Sequence, residues 1–367
     1  MSAREPALPT GPENAKSIKR ILLVRTDRLG DVVLTLPMLP FLRTCYPDAY
    51  IALLLGRYTG EIVEGNPYVN ELIWYDDDAG VIPFGKMRRI IVDRHFDAVF
   101  VVHPTLRLAW LMFQAGIPER IGTGYRYYSL LFNRKVFEHR KDAKRHEVEY
   151  NLNLLKELDC VADGNPEFHI DIPAAAESRV RELLMSLNID SGRKRVIIHP
   201  GSGGSARDWP AESFGILAMQ LGNDQRYQII VTGREEDAKQ VDRVVRSSGG
   251  KAVPIVGKLR VKELAALIRS ASLFVSNSTG PLHIAVAVGT PVVGLYSQIT
   301  AMSVARWGPY TGKKKVLVPN KPVDCSECVN DWPCACMASI AVSEVYSAAN
   351  SLLSGNDVYH EGVSVHG

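Results

Sequence analysis

The 367-residue chain has no uninterrupted apolar run approaching the ~18 residues that a membrane-spanning helix requires. It has little excess charge of either sign: 43 Lys and Arg stand against 40 Asp and Glu, a formal net of +3. That near balance argues against a dedicated nucleic-acid binder, although it leaves room for a local basic face. Cysteine is scarce for the length. Four of the six cysteines fall between Cys325 and Cys336, which is not the framework of a small secreted disulfide scaffold. The opening residues include Arg4, Glu5, Glu13, Lys16, Lys19 and Arg20, and so offer no apolar core for a signal peptide. Low-complexity segments and short repeats are lacking as well. The expectation from these absences is a soluble, cytoplasmic protein. What is present is a globular balance of 46% apolar and 23% charged residues, in a chain long enough for two domains.

The order of elements is legible from apolar runs and turn residues. Ile21-Leu22-Leu23-Val24-Arg25 reads as a buried strand, broken by Thr26–Asp31 and followed by a helical pattern from Val32 to Leu42. Further strands are expected at Tyr50–Leu55, Glu71–Tyr75 and Ala98–Val102, giving one α/β half. From Arg120 to Arg145 the texture turns aromatic and basic, and a helix is expected at Glu147–Leu158. A helix start at Pro173 and the Ser191-Gly192 pair suit a linker region. A second α/β half begins with the strand Arg195–His199. Strands follow at Gln228–Thr232, Ala252–Ile255, Leu273–Ser276 and Pro291–Tyr296, with helices at Pro210–Leu221, Glu235–Ser247 and Val261–Ser270. The expected organisation is a lead-in over 1–20, a Rossmann-like domain over 21–170, a second over 171–342, and a final helix and tail over 343–367. Two such domains would face each other across a cleft, with ligands beyond the carboxyl ends of the strands.

Three turns at those carboxyl ends carry candidate chemistry. In Thr26-Asp27-Arg28-Leu29-Gly30-Asp31, Asp31 reads either as a helix N-cap or as a carboxylate at the cleft mouth that takes a proton from a substrate hydroxyl. The loop His199-Pro200-Gly201-Ser202-Gly203-Gly204-Ser205-Ala206-Arg207-Asp208-Trp209-Pro210 reads as a flexible connection or a phosphate cradle, with Arg207 poised for a diphosphate. It is not a P-loop, because no Gly-Lys-Ser/Thr follows. The first βα turn lacks Gly-x-Gly-x-x-Gly, which disfavours a dinucleotide-dependent oxidoreductase. In Ser276-Asn277-Ser278-Thr279-Gly280-Pro281-Leu282-His283, hydroxyls and free N–H groups gather at a helix N-terminus that favours an anion. His283, one turn in, is either a core histidine or a contact to the same phosphate.

The stretch Arg25–Pro37 resembles the opening motif of glycosyltransferase family 9, the lipopolysaccharide heptosyltransferases. So do the His199–Ser202 and Arg207–Pro210 stretches and the run Thr279–Ala285. Weaker echoes are Arg120-Ile121-Gly122 with His146-Glu147-Val148-Glu149, and Trp307-Gly308-Pro309-Tyr310, all in order from about residue 21 to 345. The resemblance implies a GT-B fold and inverting, metal-independent sugar transfer, typically from ADP-heptose to a lipopolysaccharide core, with no cofactor beyond the donor. It implies Asp31 as general base. Expected donor contacts are Gly201, Ser202, Arg207, Glu236, Ser278, Thr279, Gly280 and His283. Expected acceptor contacts are Arg28, Arg120, Arg126, Arg134 and Lys144. Two departures stand out: Ser278 replaces the family's usual Asp, and Ser297-Gln298-Ile299 replaces a common Gly-Pro-Thr. The alternatives are another nucleotide sugar as donor, or a nucleotide- or glycan-binding protein of the same fold without activity. A sugar-nucleotide epimerase or hydrolase would need a carboxylate-rich cleft and no acceptor face.

Other features remain open in the sequence. From Arg107 to Arg145 nine Lys and Arg meet three Asp and Glu, a local net of +6. This is either a solvated surface or an acceptor face, where Arg126, Arg134, Arg140 and Lys144 would meet phosphates and Tyr125, Tyr127 and Tyr128 would stack on sugars. Such a face would also favour an anionic inner leaflet and peripheral membrane contact. Cys325, Cys328, Cys334 and Cys336 have thiolates enough for zinc but not the usual spacing, so reduced thiols or a labile disulfide are the preferred reading. Asp76-Asp77-Asp78 reads as a solvated loop rather than a metal site. Glu235 and Glu236 read as ribose contacts or as first-turn helix acids.

Overall fold

The computed structural model describes residues 18–189, 192–320 and 335–355. The first half contains strands β1 (Arg20–Arg25), β2 (Tyr50–Leu55) and β3 (Glu71–Trp74), a two-residue hairpin of β4 (Asp76–Asp77) and β5 (Gly80–Val81), then β6 (Ala98–Val101), β7 (Glu119–Thr123) and β8 (Arg134–Val136). Its helices are α1 (Leu29–Val33), α2 (Met38–Cys45), α3 (Arg57–Gly60), α4 (Phe84–Val92), α5 (Leu106–Gln114) and α6 (Glu147–Asn153). After α7 (Ala174–Ser186) the second half runs through β9 (Lys194–His199), α8 (Ala211–Gly222), β10 (Tyr227–Gly233), α9 (Ala238–Ser247), β11 (Ala252–Val256) and α10 (Val261–Arg269). It continues with β12 (Leu273–Asn277), α11 (Gly280–Ala287), β13 (Val292–Leu295), α12 (Val304–Trp307), β14 (Lys314–Leu317), α13 (Ala335–Ala338) and α14 (Val342–Ser354).

Two six-stranded sheets result, ordered β3-β2-β1-β6-β7-β8 and β11-β10-β9-β12-β13-β14. The pairs across each centre are parallel, with Leu23 opposite Phe100 and Ile198 opposite Val275. Each order reverses at its first strand, so a crevice opens beyond the carboxyl ends of β1 and β6 in one sheet and of β9 and β12 in the other. The central strands are buried on both faces, which is why they read as continuous apolar runs.

The inner layers of the two halves are continuous. Ile21, Leu29 and Val33 of the first half belong to the same buried cluster as Ile197, Leu282 and Ile284 of the second. Gly30 and Gly280 make this possible: a Cβ on Gly280 would stand 3.1 Å from the Gly30 nitrogen, closer than ordinary contact. On the outer face of the second sheet, Met337, Ile340, Val345 and Leu352 bring α13 and α14 onto α8. Trp209 is fully buried there, its indole N–H donating to the Ile340 carbonyl at 3.0 Å.

Several elements differ from the sequence expectation. The helix expected over Val32–Leu42 is two helices, because Pro37 has no N–H to continue the ladder. The basic segment 120–145 contains two strands, β7 and β8. A disulfide joins Cys45, at the end of α2, to Cys160, with the Cα atoms 5.7 Å apart. Of the clustered cysteines, Cys325, Cys328 and Cys334 lie outside the described residues, and Cys336 is buried beneath α14. Asp76 receives the Arg57 backbone N–H at 2.6 Å and so steadies the start of α3. Among the described residues, no helix is long and apolar enough to cross a membrane.

Candidate active-site cleft

A cavity of about 790 Å³ lies between the two halves, lined by the turns after β1, β9, β10 and β12. Asp31 lines its first-half wall. It is not the N-cap of α1: that place belongs to Arg28, and Asp31 sits in the first turn. Its carboxylate accepts instead from Arg25 Nη2. Burial pushes the Asp31 carboxyl above its ordinary range, and Asp27 and Glu147 push the same way against the pull of Arg25. Thr35 fixes the turn by donating from Oγ1 to the Asp31 carbonyl at 2.8 Å.

Arg25 is almost wholly buried, an arrangement that demands partners on every N–H. Its Nε donates to Asp27 Oδ1 at 2.7 Å, and its Nη1 faces Glu147 Oε1 at 3.4 Å. Burial works against its charge, but Asp27, Asp31 and Glu147 outweigh that and raise its pKa. His103, after β6, stands 3.2 Å from the other Asp27 oxygen.

The opposite wall is built from backbone and hydroxyls. Gly201, Ser202, Gly203 and Ser205 line the cavity, with Gly203 (φ 56°) and Gly204 (φ 74°) in the left-handed region that glycine tolerates best. Asn277 Nδ2 and Gln240 Nε2 both donate to the Pro200 carbonyl, at 2.6 and 3.0 Å, and pin the loop's entry. The same two amides face the Asp208 carboxylate at 3.3 Å. Burial raises the Asp208 carboxyl to about 6. Ser278, Thr279, Gly280, Pro281 and His283 form the end of α11 that meets the cavity, with Thr279 as N-cap.

His283 is buried and its pKa is pulled down to about 3, first by burial and then by nearby His146. It is therefore a neutral imidazole rather than a cation. Its Nδ1 is buried with no hydrogen-bond partner. Arg207 is half-buried and is not among the cavity-lining residues; its Nε is also buried without a partner. The cations that do line the cavity are Arg28 and Arg234. Arg234 was not legible as a site residue, because only the fold of β10 beside the glycine loop brings its Nη2 to 2.8 Å from where a Gly203 Cβ would be. Glu235 and Asp237 line the cavity, whereas Glu236 is exposed and leans toward Arg234 at 3.8 Å. At one end Ile255, Leu259, Val261 and Leu264 make an apolar slot beside Thr232 and Gly257. Ala301, Met302 and Trp307, from the segment between β13 and β14, cover another side.

The basic stretch divides by use. Arg120 is taken up by the fold, donating to the carbonyls of Leu131 (2.8 Å) and Ile117 (2.5 Å), and burial lowers its pKa. Arg134 pairs with Glu119 at 3.0 Å, and Arg140 with Glu147 at 2.6 Å. Arg126 is exposed, and Lys144 is exposed 3.9 Å from Asp142. Of the five expected acceptor residues only Arg28 lines the cavity; Arg120, Arg126, Arg134 and Lys144 do not. What projects from this region is apolar. Leu106, Trp110 and Phe113 on α5 are exposed, as are Tyr127 and Leu130 on the adjoining turn. Among the described residues, no group of three His, Cys, Asp or Glu is arranged to hold a metal ion.

Comparison with known proteins follows the same lines. Residues 84–332 match glycosyltransferase family 9 (heptosyltransferase). Lipopolysaccharide heptosyltransferase 3 of Escherichia coli K12 is 29% identical over 300 residues, covering 77% of this chain and 83% of its own. The crystal structure of a family 9 glycosyl transferase from Veillonella parvula superposes with a TM-score of 0.80 at 26% identity, over 94% of this chain and all of the other. The E. coli ADP-heptose lipopolysaccharide heptosyltransferase II superposes with a TM-score of 0.75 at 20% identity, covering 92% of this chain and 99% of its own.

Proposed function

Because the chain belongs to glycosyltransferase family 9 and has its two-domain GT-B fold, we propose that it transfers heptose from ADP-heptose to a phosphorylated lipopolysaccharide inner core or related glycolipid. The observation that carries this reading is the pairing, in one cavity, of a buried basic carboxylate at Asp31 with the hydroxyl-rich N-terminus of α11. An acceptor hydroxyl attacks the anomeric carbon while Asp31 takes its proton. The bond from that carbon to the diphosphate oxygen breaks on the opposite face, so the configuration inverts. A general base of this kind contributes roughly 10²–10⁴-fold. The departing diphosphate gains charge next to the N–H groups at Thr279–Gly280, the glycine loop and the Arg234 guanidinium, which stabilise it without a metal. The apolar slot at Ile255 and Leu264 suits a flat nucleobase, with Glu235 near the ribose. Residues 21–170 then serve the acceptor and residues 171–342 the donor.

The raised Asp31 pKa helps the proton transfer, while Arg25 keeps the carboxylate ionised and aimed. His283 takes part as a neutral hydrogen-bonding group, and Arg207 acts at most from behind the loop. The apolar face on α5 and the adjoining turn, which Arg126 precedes, meets the anionic inner leaflet in this reading, which makes the protein peripheral and cytoplasmic.

The test is a mass-spectrometric transfer assay with ADP-heptose, UDP-GlcNAc or GDP-mannose, a deacylated core acceptor and a chelator. A heptose-sized mass gain from ADP-heptose alone is the expected result. Transfer from another donor would keep the mechanism and move the substrate. No transfer from any donor by folded protein would favour a nucleotide- or glycan-binding protein without activity.

A further inference from the structure

Glu147 is 1% exposed, yet three arginines from separate parts of the fold converge on it. Arg140 Nη1 donates to Oε1 at 2.6 Å, Arg306 Nε to Oε2 at 3.0 Å, and Arg25 Nη1 faces Oε1 at 3.4 Å. Asn151 Oδ1 accepts from Arg140 at 2.9 Å and fills the remaining corner. With Asp27 and Asp31 on the far side of Arg25, the cluster holds one buried and two part-buried arginines and three carboxylates, so its charges balance. Removing any one leaves an uncompensated charge in a poorly solvated place.

The cluster also crosses the cleft. Arg306 lies on α12 of the second half, next to the cavity-lining Trp307. One residue before Glu147, His146 Nε2 stands 2.8 Å from the Gly308 carbonyl, a second bond to the same segment. The Arg25 fork is thus shared: Nε holds Asp27, Nη2 holds Asp31 and also faces Glu147 at 3.5 Å, and Nη1 faces Glu147 at 3.4 Å.

We propose that Glu147 and Arg306 are positioning residues which, through Arg25, couple the seating of the Thr300–Trp307 segment over the cleft to the aim and proton affinity of Asp31. The inference rests on Asp31 being the base in the reading above. With Arg306 seated, the Glu147 charge is shared among three cations and Arg25 is free to serve Asp31. When the segment lifts, Glu147 draws Arg25 away and its own negative charge is less compensated, so Asp31 binds its proton more tightly. The charged groups acting on Asp31 are Arg25 at the end of β1, Asp27, with His103 beyond it, and Glu147, while Arg28, Tyr58 of α3 and His283 of α11 line the same cavity. Of these, only Glu147 and what it faces change in the variants below.

The two substitutions therefore have opposite signs. Glu147→Gln removes a negative charge behind Arg25 and lowers the Asp31 pKa. Arg306→Gln leaves Glu147 less neutralised and raises it. The experiment is the pH profile of kcat for the full chain at saturating ADP-heptose and acceptor, whose acid limb reports the base in the bound state. The limb is expected to move down by about one pH unit in Glu147→Gln and up by a smaller amount in Arg306→Gln, since a charge in direct contact shifts a carboxyl by roughly one to three units. In the double variant the Arg306 effect disappears. Two variants that lose kcat with the limb unmoved, or moved the same way, would overturn the proposal and leave the cluster a structural tie. Should Glu147→Gln fail to fold, Arg306→Gln decides alone: an upward limb supports the coupling and an unmoved one refutes it. Asp31→Asn separates the two levels. Turnover in that variant refutes the base itself, whereas a dead Asp31→Asn with unmoved limbs refutes only the coupling.

Discussion

Substituting Gly30 by alanine tests the contact on which the two halves meet. A Cβ there would stand 2.9 Å from His283 Cδ2 and 3.1 Å from the Gly280 Cα. Ordinary carbon contacts begin near 3.5 Å, so one partner must retreat by about half an ångström. Neither can do so easily: His283 is buried in α11, and the Gly280 atom is backbone. Two effects then compete. Alanine is a better helix former than glycine by about 1 kcal/mol, whereas overpacking a tight interior typically costs about 1–3 kcal/mol. The steric effect outweighs the propensity gain at this position, for a net loss of up to about 2 kcal/mol and a fall in Tm of up to roughly 3 °C. Gly85 supplies the control. It is exposed in α4 with nothing within 4 Å of its Cβ position, so Gly85→Ala is expected to raise Tm slightly.

Activity is expected to suffer more than stability, because Asp31 is the next residue. A displacement of about 1 Å at a reacting group costs on the order of 10²-fold in rate. Thermal melting of both variants beside the transfer assay reads both effects. If Gly30→Ala melts with the wild type and turns over at the same rate, the close approach of α1 and α11 does not exist in the working protein. The cleft geometry would then have to be redrawn.

Asp31→Asn is expected to lower kcat by at least about 10²-fold while ADP binding, followed by calorimetry, stays near the wild-type value; unimpaired turnover refutes the assignment. Trp110→Ala combined with Phe113→Ala is expected to abolish co-sedimentation with phosphatidylglycerol vesicles and to leave transfer to a deacylated acceptor intact, since both side chains lie outside the cavity. A wild-type protein that ignores such vesicles ends the membrane reading. Acid stability follows from Glu147, whose pKa is held down to about 2: burial alone would raise it, but Arg140, Arg25 and Arg306 outweigh that. A depressed folded-state pKa means the contribution is present above the ordinary carboxyl range and is lost as pH falls from about 4.5 toward 2. The urea midpoint is expected to drop across that window by about 3 kcal/mol equivalent, and to drop less in Glu147→Gln; equal slopes refute the ion-pair account.

The strands that the sequence revealed are those whose physics is one-dimensional. A parallel strand covered on both faces must be apolar throughout, so β1, β2, β6, β9 and β12 stand out as runs. Strands β7, β8 and β14 lie toward the sheet margins and carry Arg120, Arg134 and Lys314. Their polar character imitates a loop. The Cys45–Cys160 pairing had no local signature at all, since the two residues are 115 positions apart and meet only when α2 folds back.

The site divides on the same principle. Asp31, Gly201, Ser202, Ser278, Thr279 and Gly280 were legible because the α/β fold delivers the carboxyl ends of β1, β9 and β12 to one crevice. Cations were not, because a guanidinium on a long stem reports its composition but not its destination. Nine basic residues in a stretch of 39 read as either a solvated surface or an acceptor face, and within it Arg120 is used on carbonyls, Arg134 on Glu119 and Arg140 on Glu147. The arginine of the second half that lines the cavity, Arg234, came from a segment with no net basic character: Glu235, Glu236 and Asp237 follow it directly. Those acids explain its place. They hold the guanidinium at the cavity rim, within 3.8 Å of Glu236 and 3.7 Å of Asp237, where it would meet the donor diphosphate in the proposed reading. Local net charge therefore points away from this cavity-lining cation, because a guanidinium held at a cleft rim needs anions beside it.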